Sequence, residues 1–136
     1  MVVRFFARLT GGQQVPPVNT DAFGSANFVF NDDFTRLRFR LVVNDLEEFI
    51  AAHIHLGMRG QNGPVVTFLF GPVTHGISVN TGVVTGTITE DDLVGPLQGM
   101  SLFELAKQMN AGNTYVNAHT ERYPDGEIRG QIRQVQ

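Results

Sequence analysis

Four histidines are the residues of this sequence best suited to chemistry, and two of them form an H-x-H pair. His53 and His55 lie in residues 51–56, where apolar and polar side chains alternate as in a β-strand. Successive side chains of a strand point to opposite faces, so both imidazoles project to one face while the alternate apolar residues face the core. Two imidazoles side by side on an outer face are the beginning of a transition-metal site.

A later segment, residues 115–119, follows the same alternation and supplies a third histidine. Its inward residues are apolar, so Tyr115, Asn117 and His119 share the outer face. If this strand neighbours the first, three imidazoles converge. We therefore predict that His53, His55 and His119 bind a copper or zinc ion, with Asn117 supporting them from outside the ligand set.

The fourth histidine is expected to lie outside the metal site, and the other three also have an interpretation without a metal. His75 lies among turn-forming residues, where an exposed loop position is expected, although a loop could also carry it in as a fourth ligand. A histidine in a strand is most often an outward polar group. Under that interpretation His53, His55 and His119 are structural and bind no metal.

A second polar group follows the turn at residues 124–126. Ile128 and Ile132 are expected to face inward, which leaves Glu127, Arg129, Gln131 and Arg133 on the outer face. The simpler interpretation is a solvated charged face. In the functional alternative, the Glu127 carboxylate accepts a hydrogen bond from a ligand histidine and holds its tautomer.

Two further features suggest binding surfaces. Pro16 and Pro17 form a rigid corner, and the loop at residues 57–64 is rich in turn residues, so either could contact a protein partner. Alternating arginines at 36, 38 and 40 form a basic stripe, which is either a solvated strand face or a site for an anion.

The elements that must position these residues are mostly short strands with turns between them. Helical spacing at residues 102–110 predicts one helix, started by a capping box of Ser101 and Glu104 and ended near Gly112, and residues 89–93 favour a further single turn. Strands are predicted at residues 4–9, 25–30, 36–41, 51–56, 65–70, 82–89, 114–119 and 127–135, with 25–30 and 36–41 paired as a hairpin. The pattern predicts an all-β, immunoglobulin-like antiparallel sandwich of about eight strands, with residues 1–136 as one domain.

Composition excludes several function classes. The chain has 136 residues, no cysteine, and 10 basic against 13 acidic residues, which argues against a nucleic-acid binder and excludes thiol chemistry. No apolar run is long enough to span a membrane, and residues 1–6 are too short for a signal-peptide core. We expect a soluble domain, cytoplasmic as written or exported after removal of a leader. No nucleophile elbow or phosphate-binding loop is present.

Three motifs in order resemble the CHRD (chordin) domain family. They are LTGGQQVPP at residues 9–17, AAHIHLG at 51–57 followed by NGPVV, and YVNAHT at 115–120 followed by PDGEIRGQI at 124–132. The resemblance covers nearly the whole chain. It implies a bacterial single-domain member of a family whose domain is repeated in chordin, an extracellular protein, where it acts as a non-catalytic interaction module.

The family is in turn similar to the Cu/Zn superoxide dismutase fold, which implies that His53, His55 and His119 correspond to copper ligands. The chain departs from that enzyme, because it has no disulfide pair and no His and Asp cluster after His55 for zinc. Only His75 is available as a bridging imidazole, and Arg129 is the arginine on a plausible strand for guiding the anion. The resemblance leaves a metal-binding domain, with or without redox activity, beside a structural interaction module that could pair as a homodimer through its edge strands.

Overall fold

The computed structural model describes residues 3–135 and is mainly β-structure with one α-helix. Met1 and Val2, which belong to the short apolar run considered above as a leader, lie outside the described residues, as does Gln136. The strands are β1 Val3–Thr10, β2 Phe23–Phe30, β3 Leu37–Leu56, β4 Val65–Phe70, β5 Ile77–Ile88, β6 Thr114–Thr120, β7 Ile128–Gln131 and β8 Arg133–Gln134, and the helix is α1 Leu102–Asn110. The all-β class with one short helix is confirmed.

The strands form one antiparallel sheet that closes into a barrel. Its order is β2-β1-β7-β6-β3-β4, and β3 also pairs with β2, which closes the first five of these strands into a ring and leaves β4 as an edge strand beside β3. β5 pairs with β3, and β8 pairs with β1. The predicted hairpin between β2 and β3 is confirmed along its whole length. Division into the two facing sheets of an immunoglobulin-like sandwich is not confirmed, because the hydrogen bonds run continuously around the barrel.

Strand β3 is the element that makes closure possible. It was predicted as two strands, at residues 36–41 and 51–56, but the structure has one strand of 20 residues. Its first half pairs with β2 and β5, and its second half pairs with β6 and β4. The strand turns at Asp45 and Glu48, whose φ angles of 53° and 55° are left-handed and accompany a register shift. These bulges bend the strand around the barrel without ending it.

The core fills the inside of the barrel with the inward residues of each strand. The arginine stripe shows the alternation, because Arg36, Arg38 and Arg40 are exposed whereas Leu37 and Leu41 are fully buried. Phenylalanine side chains of β1 and β2 pack in this core, with Phe5 and Phe30 in edge-to-face contact at 5.9 Å. The predicted inward residues of the histidine strand, Ala52 and Ile54, are also buried.

The helix begins and ends where the sequence predicted. Its apolar face is buried, namely Leu102, Leu105, Ala106 and Met109, and Gly112 has the left-handed φ expected after a helix. Ser101 is the N-cap residue, but its side chain makes no capping hydrogen bond, and Glu104 pairs with Lys107 at 3.0 Å. The predicted capping box is therefore wrong. The single turn predicted at residues 89–93 is confirmed as a 3-10 turn.

Two strand boundaries also differ from the prediction. β5 begins at Ile77, five residues before the predicted start at Gly82, and the last predicted strand breaks at Ile132 into β7 and β8. The break lets β7 pair with β6 while β8 pairs with β1. No helix within residues 3–135 has the length and apolar character needed to cross a membrane.

Candidate metal centre

Strands β3 and β6 lie side by side and bring three histidines together. His53 pairs with Asn117, His55 with Tyr115, and Ala51 with His119, so all of these side chains share the outer face of the barrel. His53, His55 and His119 each offer one nitrogen, and these nitrogens lie within 4.8 Å of one another. The three imidazoles therefore converge, as expected if the two strands were neighbours.

Main-chain carbonyl groups orient two of the three imidazoles. The Nδ1 atom of His55 lies 2.9 Å from the Gly63 carbonyl oxygen, and the Nδ1 atom of His119 lies 2.8 Å from that of Pro124. A carbonyl oxygen only accepts, so both Nδ1 atoms carry the proton and both Nε2 atoms of the neutral rings keep a lone pair. The loops therefore select the tautomer that a metal ligand at Nε2 requires.

The Nε2 lone pair of His119 has a hydrogen-bond partner, whereas that of His55 has none. The Nδ1 atom of His53 lies 3.0 Å from the Nε2 atom of His119, so His53 donates a hydrogen bond to it. The Nε2 atom of His55 is buried and has no hydrogen-bond partner, and the same holds for the Oδ1 atom of Asn117. An unpartnered buried acceptor costs free energy, which makes the His55 Nε2 atom a candidate metal ligand.

Burial distinguishes this site from the surface position that the alternation predicted. His55 is 8% exposed, His119 is 7% exposed and only His53 is half-buried. The loops cover the outer face, with Leu56 donating to the Pro64 carbonyl group and Glu127 donating to that of Ala118. The expectation of surface histidines is therefore wrong, because loops distant in sequence close over this part of the sheet.

The same burial lowers the pKa of all three histidines. For His53, desolvation is the main cause, followed by His119 and His55, and its pKa falls to about 4. For His55, desolvation lowers the pKa and outweighs the hydrogen bonds to the Gly63 carbonyl group and the Asn117 side chain, which act in the opposite direction. For His119, desolvation likewise outweighs the hydrogen bond to the Pro124 carbonyl group. All three rings are neutral at pH 7, which is the form that binds metals.

Aromatic side chains enclose the cluster, and the sequence did not single them out as site residues. Tyr115 stacks on His55 with ring centroids 4.7 Å apart and planes 7° from parallel, and Phe68 meets His53 edge-on at 4.6 Å. The Tyr115 hydroxyl group accepts a hydrogen bond from Gly63 N at 3.0 Å. The pairing of β3 with β6 would have predicted the contact of Tyr115 with His55, since the two residues lie opposite each other. The neighbouring sequence gave no sign that Phe68 of β4 would contact His53.

Glu127 and Arg129, after the turn at 124–126, are buried, so the predicted solvated face is wrong for these two, whereas Arg133 is exposed as predicted. Glu127 accepts hydrogen bonds from Thr20 Oγ1 at 2.6 Å and from Thr120 Oγ1 at 2.9 Å. The Nδ1 partner of His119 is the Pro124 carbonyl oxygen, and that of His55 is Gly63, so Glu127 is not the histidine acceptor that one hypothesis predicted.

Arg129 is also buried, at 1% exposure. Its guanidinium carbon lies 3.5 Å from the centroid of the Tyr115 ring. Because Tyr115 also stacks on His55, and both groups cannot occupy one ring face at these distances, the ring separates Arg129 from the histidines. Arg129 therefore supports the site through Tyr115 and does not contact the cluster.

His75 lies apart from these residues. It is exposed in the loop between β4 and β5, as its turn-rich surroundings predicted, and it does not belong to the histidine group. A role as a fourth ligand would need that loop to move.

Comparison with known proteins agrees with the motifs. The CHRD domain family matches residues 5–132. Chordin from Danio rerio is 30% identical over 128 residues, which is 91% of this chain but 12% of chordin. The chain thus spans about one eighth of this relative's length. The activity of full-length chordin therefore cannot be assigned to this chain. The chain belongs to the CHRD domain family.

Proposed function

We propose that this CHRD domain binds one copper or zinc ion through His53, His55 and His119. The observation that carries the proposal is the pair of fixed tautomers. The Gly63 and Pro124 carbonyl groups hold the protons of His55 and His119 on Nδ1, so both Nε2 lone pairs are available, and that of His55 has no other partner. Three imidazoles with an open fourth position are a common shell for either metal.

One pair of nitrogens in the cluster has nearly the spacing of two ligands on a shared ion. In a tetrahedral zinc site with Zn–N of about 2.0–2.1 Å, two ligand nitrogens lie about 3.3 Å apart. His53 Nδ1 and His119 Nε2 lie 3.0 Å apart, so a small separation of these rings would suit a shared ion. The His53 proton and a metal would compete for the His119 lone pair. Half-buried His53 is the member through which an ion would enter.

The test is a calorimetric titration of chelator-treated protein with Zn²⁺ and then Cu²⁺. We expect binding close to one ion per chain, weakened at least 100-fold in His55→Gln and in His119→Gln. His75→Gln is the matched control, because His75 is exposed outside the cluster, and it should bind as the wild type does. Circular dichroism checks that each variant folds.

Binding no tighter than micromolar, or equal losses in His75→Gln, would overturn the proposal. A purely structural role instead predicts that His55→Gln lowers the free energy of unfolding by about 1–3 kcal/mol without a metal effect, since the Gly63 carbonyl group loses its donor. If the protein binds copper, an assay for superoxide dismutation on the loaded protein decides whether redox activity accompanies binding.

The second candidate is a non-catalytic interaction module, which the family relationship to chordin favours. Under this proposal the partner surface lies on the loops or on the edge strands, where Phe68 of β4 and Ile77 of β5 are 46% and 48% exposed. A homodimer formed through such an edge would double the mass measured by light scattering. Metal removal would leave this association unchanged, which separates it from the first proposal.

A further inference from the structure

A cavity of about 350 Å³ lies between the two loops that the sequence marked as candidate partner surfaces. One wall is the proline loop, with Val15 and Pro17, and the other is the loop at residues 57–64, with Arg59. Asn62 ties the loops together by donating to the Val15 carbonyl group at 2.8 Å. Arg129 lines the cavity beneath them, on the side of Tyr115 away from the histidines.

The charge of this cavity is one-sided. Two guanidinium groups line it, and no carboxylate among residues 3–135 does. Arg59 and Arg129 are close enough that their charges repel each other. Within the same residues the structure shows no ion pair for Arg129, although it is a buried cation. Buried charges are normally paired, so an anion bound in this cavity would supply the counter-charge that the described part of the chain does not give Arg129.

Arg129 keeps hydrogen-bonding capacity for such an anion. Its Nη atoms donate to three neutral acceptors, at 3.1 Å to the Met58 carbonyl oxygen, 3.3 Å to Asn62 and 3.4 Å to Gln131. A guanidinium group has five N–H donors, so two remain.

We propose that this cavity binds a carboxylate that carries a short apolar group. Guanidinium groups recognise the planar carboxylate through paired N–H donors, and the second charge of Arg59 adds to the attraction. Val15 and Pro17 provide an apolar surface for the rest of the ligand. The ligand is either a free acid or the C-terminal carboxylate of a peptide, and both share this chemistry. The site is independent of the metal and goes beyond the proposed metal binding.

The experiment is a titration of chelator-treated, ¹⁵N-labelled protein at constant ionic strength, followed by NMR. The probes are butyrate, N-acetylvaline and N-acetylvaline amide, with inorganic phosphate as a fourth. We expect saturable shifts at the amides of Gly12 and Gly60, which line the cavity, with a dissociation constant of roughly millimolar for a ligand of this size. The amide should produce none, because it has no carboxylate. Tighter binding of N-acetylvaline than of butyrate identifies a peptide terminus, and the reverse order identifies a free acid.

Arg59→Gln should weaken carboxylate binding at least tenfold without lowering the melting temperature. Arg38→Gln removes the same charge from an exposed position on the arginine stripe and should leave binding unchanged. Arg129 is unsuitable as the primary variant, because its loss also removes the contact with Tyr115. Absent saturation, equal binding of the amide, preferential binding of phosphate, or undiminished binding in Arg59→Gln would each overturn the proposal. None of these outcomes depends on whether the histidines bind metal.

Discussion

The Nδ1 atom of His53 lies 3.0 Å from the Nε2 atom of His119, although 66 residues separate them in the chain. The contact exists because β3 and β6 are antiparallel neighbours and their outer residues meet across the strands. It places three rings of lowered pKa in one cluster, of which His55 and His119 are buried and His53 is half-buried. Because all three are neutral in the folded protein, the cluster affects stability as well as metal binding.

The stability of the metal-free protein is expected to fall as the pH is lowered from 7 to 5. The folded-state pKa of His53 is about 4, below the ordinary value of 6.5, and those of His55 and His119 are lowered too. Between these values the unfolded chain binds more protons than the native state, so stability rises with pH, is complete above about 6.5 and is lost as the pH falls toward 4. Urea unfolding at several pH values in the presence of a chelator measures this.

The variant His53→Asn should make that pH dependence shallower, because one of the three shifted groups is gone. His75→Asn should retain the full dependence, since His75 is exposed. If the urea concentration at the unfolding midpoint of the wild type did not change between pH 5 and pH 7, the three imidazoles would not have lowered pKa values in solution.

The variant Glu127→Ala is expected to lower the free energy of unfolding by about 1–3 kcal/mol, because it leaves two threonine hydroxyl groups without their acceptor. Thr120 is fully buried and cannot turn to water. The zinc affinity of the Glu127→Ala variant should match that of the wild type, because the Glu127 carboxylate contacts Thr20 and Thr120 and not the imidazoles. Chemical denaturation and calorimetry measure the two effects. The exposed Glu47→Ala serves as the control, and a selective loss of zinc binding in Glu127→Ala would return Glu127 to the role of histidine acceptor.

The variant Glu48→Val is expected to destabilise the protein by about 1–2 kcal/mol, since a β-branched side chain strongly disfavours positive φ. Glu48 has a φ of 55° at the bend of β3. Its backbone is also engaged there, donating to Ser78 Oγ and accepting from Glu121 N, so the bend cannot simply straighten. Thermal unfolding compares the melting temperature of Glu48→Val with that of the neighbouring variant Glu47→Val. The variant Glu48→Gly should be nearly as stable as the wild type, because glycine tolerates the positive φ. Equal melting temperatures for the two valine variants would contradict a strained bend.

Alternation of side chains within single segments determined much of the site in advance. It placed His53 and His55 on one face, put His119 on the matching face of a later strand and kept Ala52 and Ile54 inside. Helical spacing likewise predicted the bounds of α1. These features depend on the geometry of neighbouring residues in one segment, which is why a sequence alone can show them.

Only the tertiary structure decided how these pieces close together. The joining of two predicted strands into β3 depends on two acidic residues, Asp45 and Glu48, adopting a conformation more typical of glycine around a register shift between Leu46 and Phe49. The burial of His55 and the choice of its tautomer depend on the Gly63 carbonyl group, placed by a loop. The stacking of Arg129 on Tyr115, and the two threonines that bind Glu127, likewise join segments far apart in the chain. Such contacts leave no periodic trace in the sequence, because each depends on where the folded backbone places a distant atom.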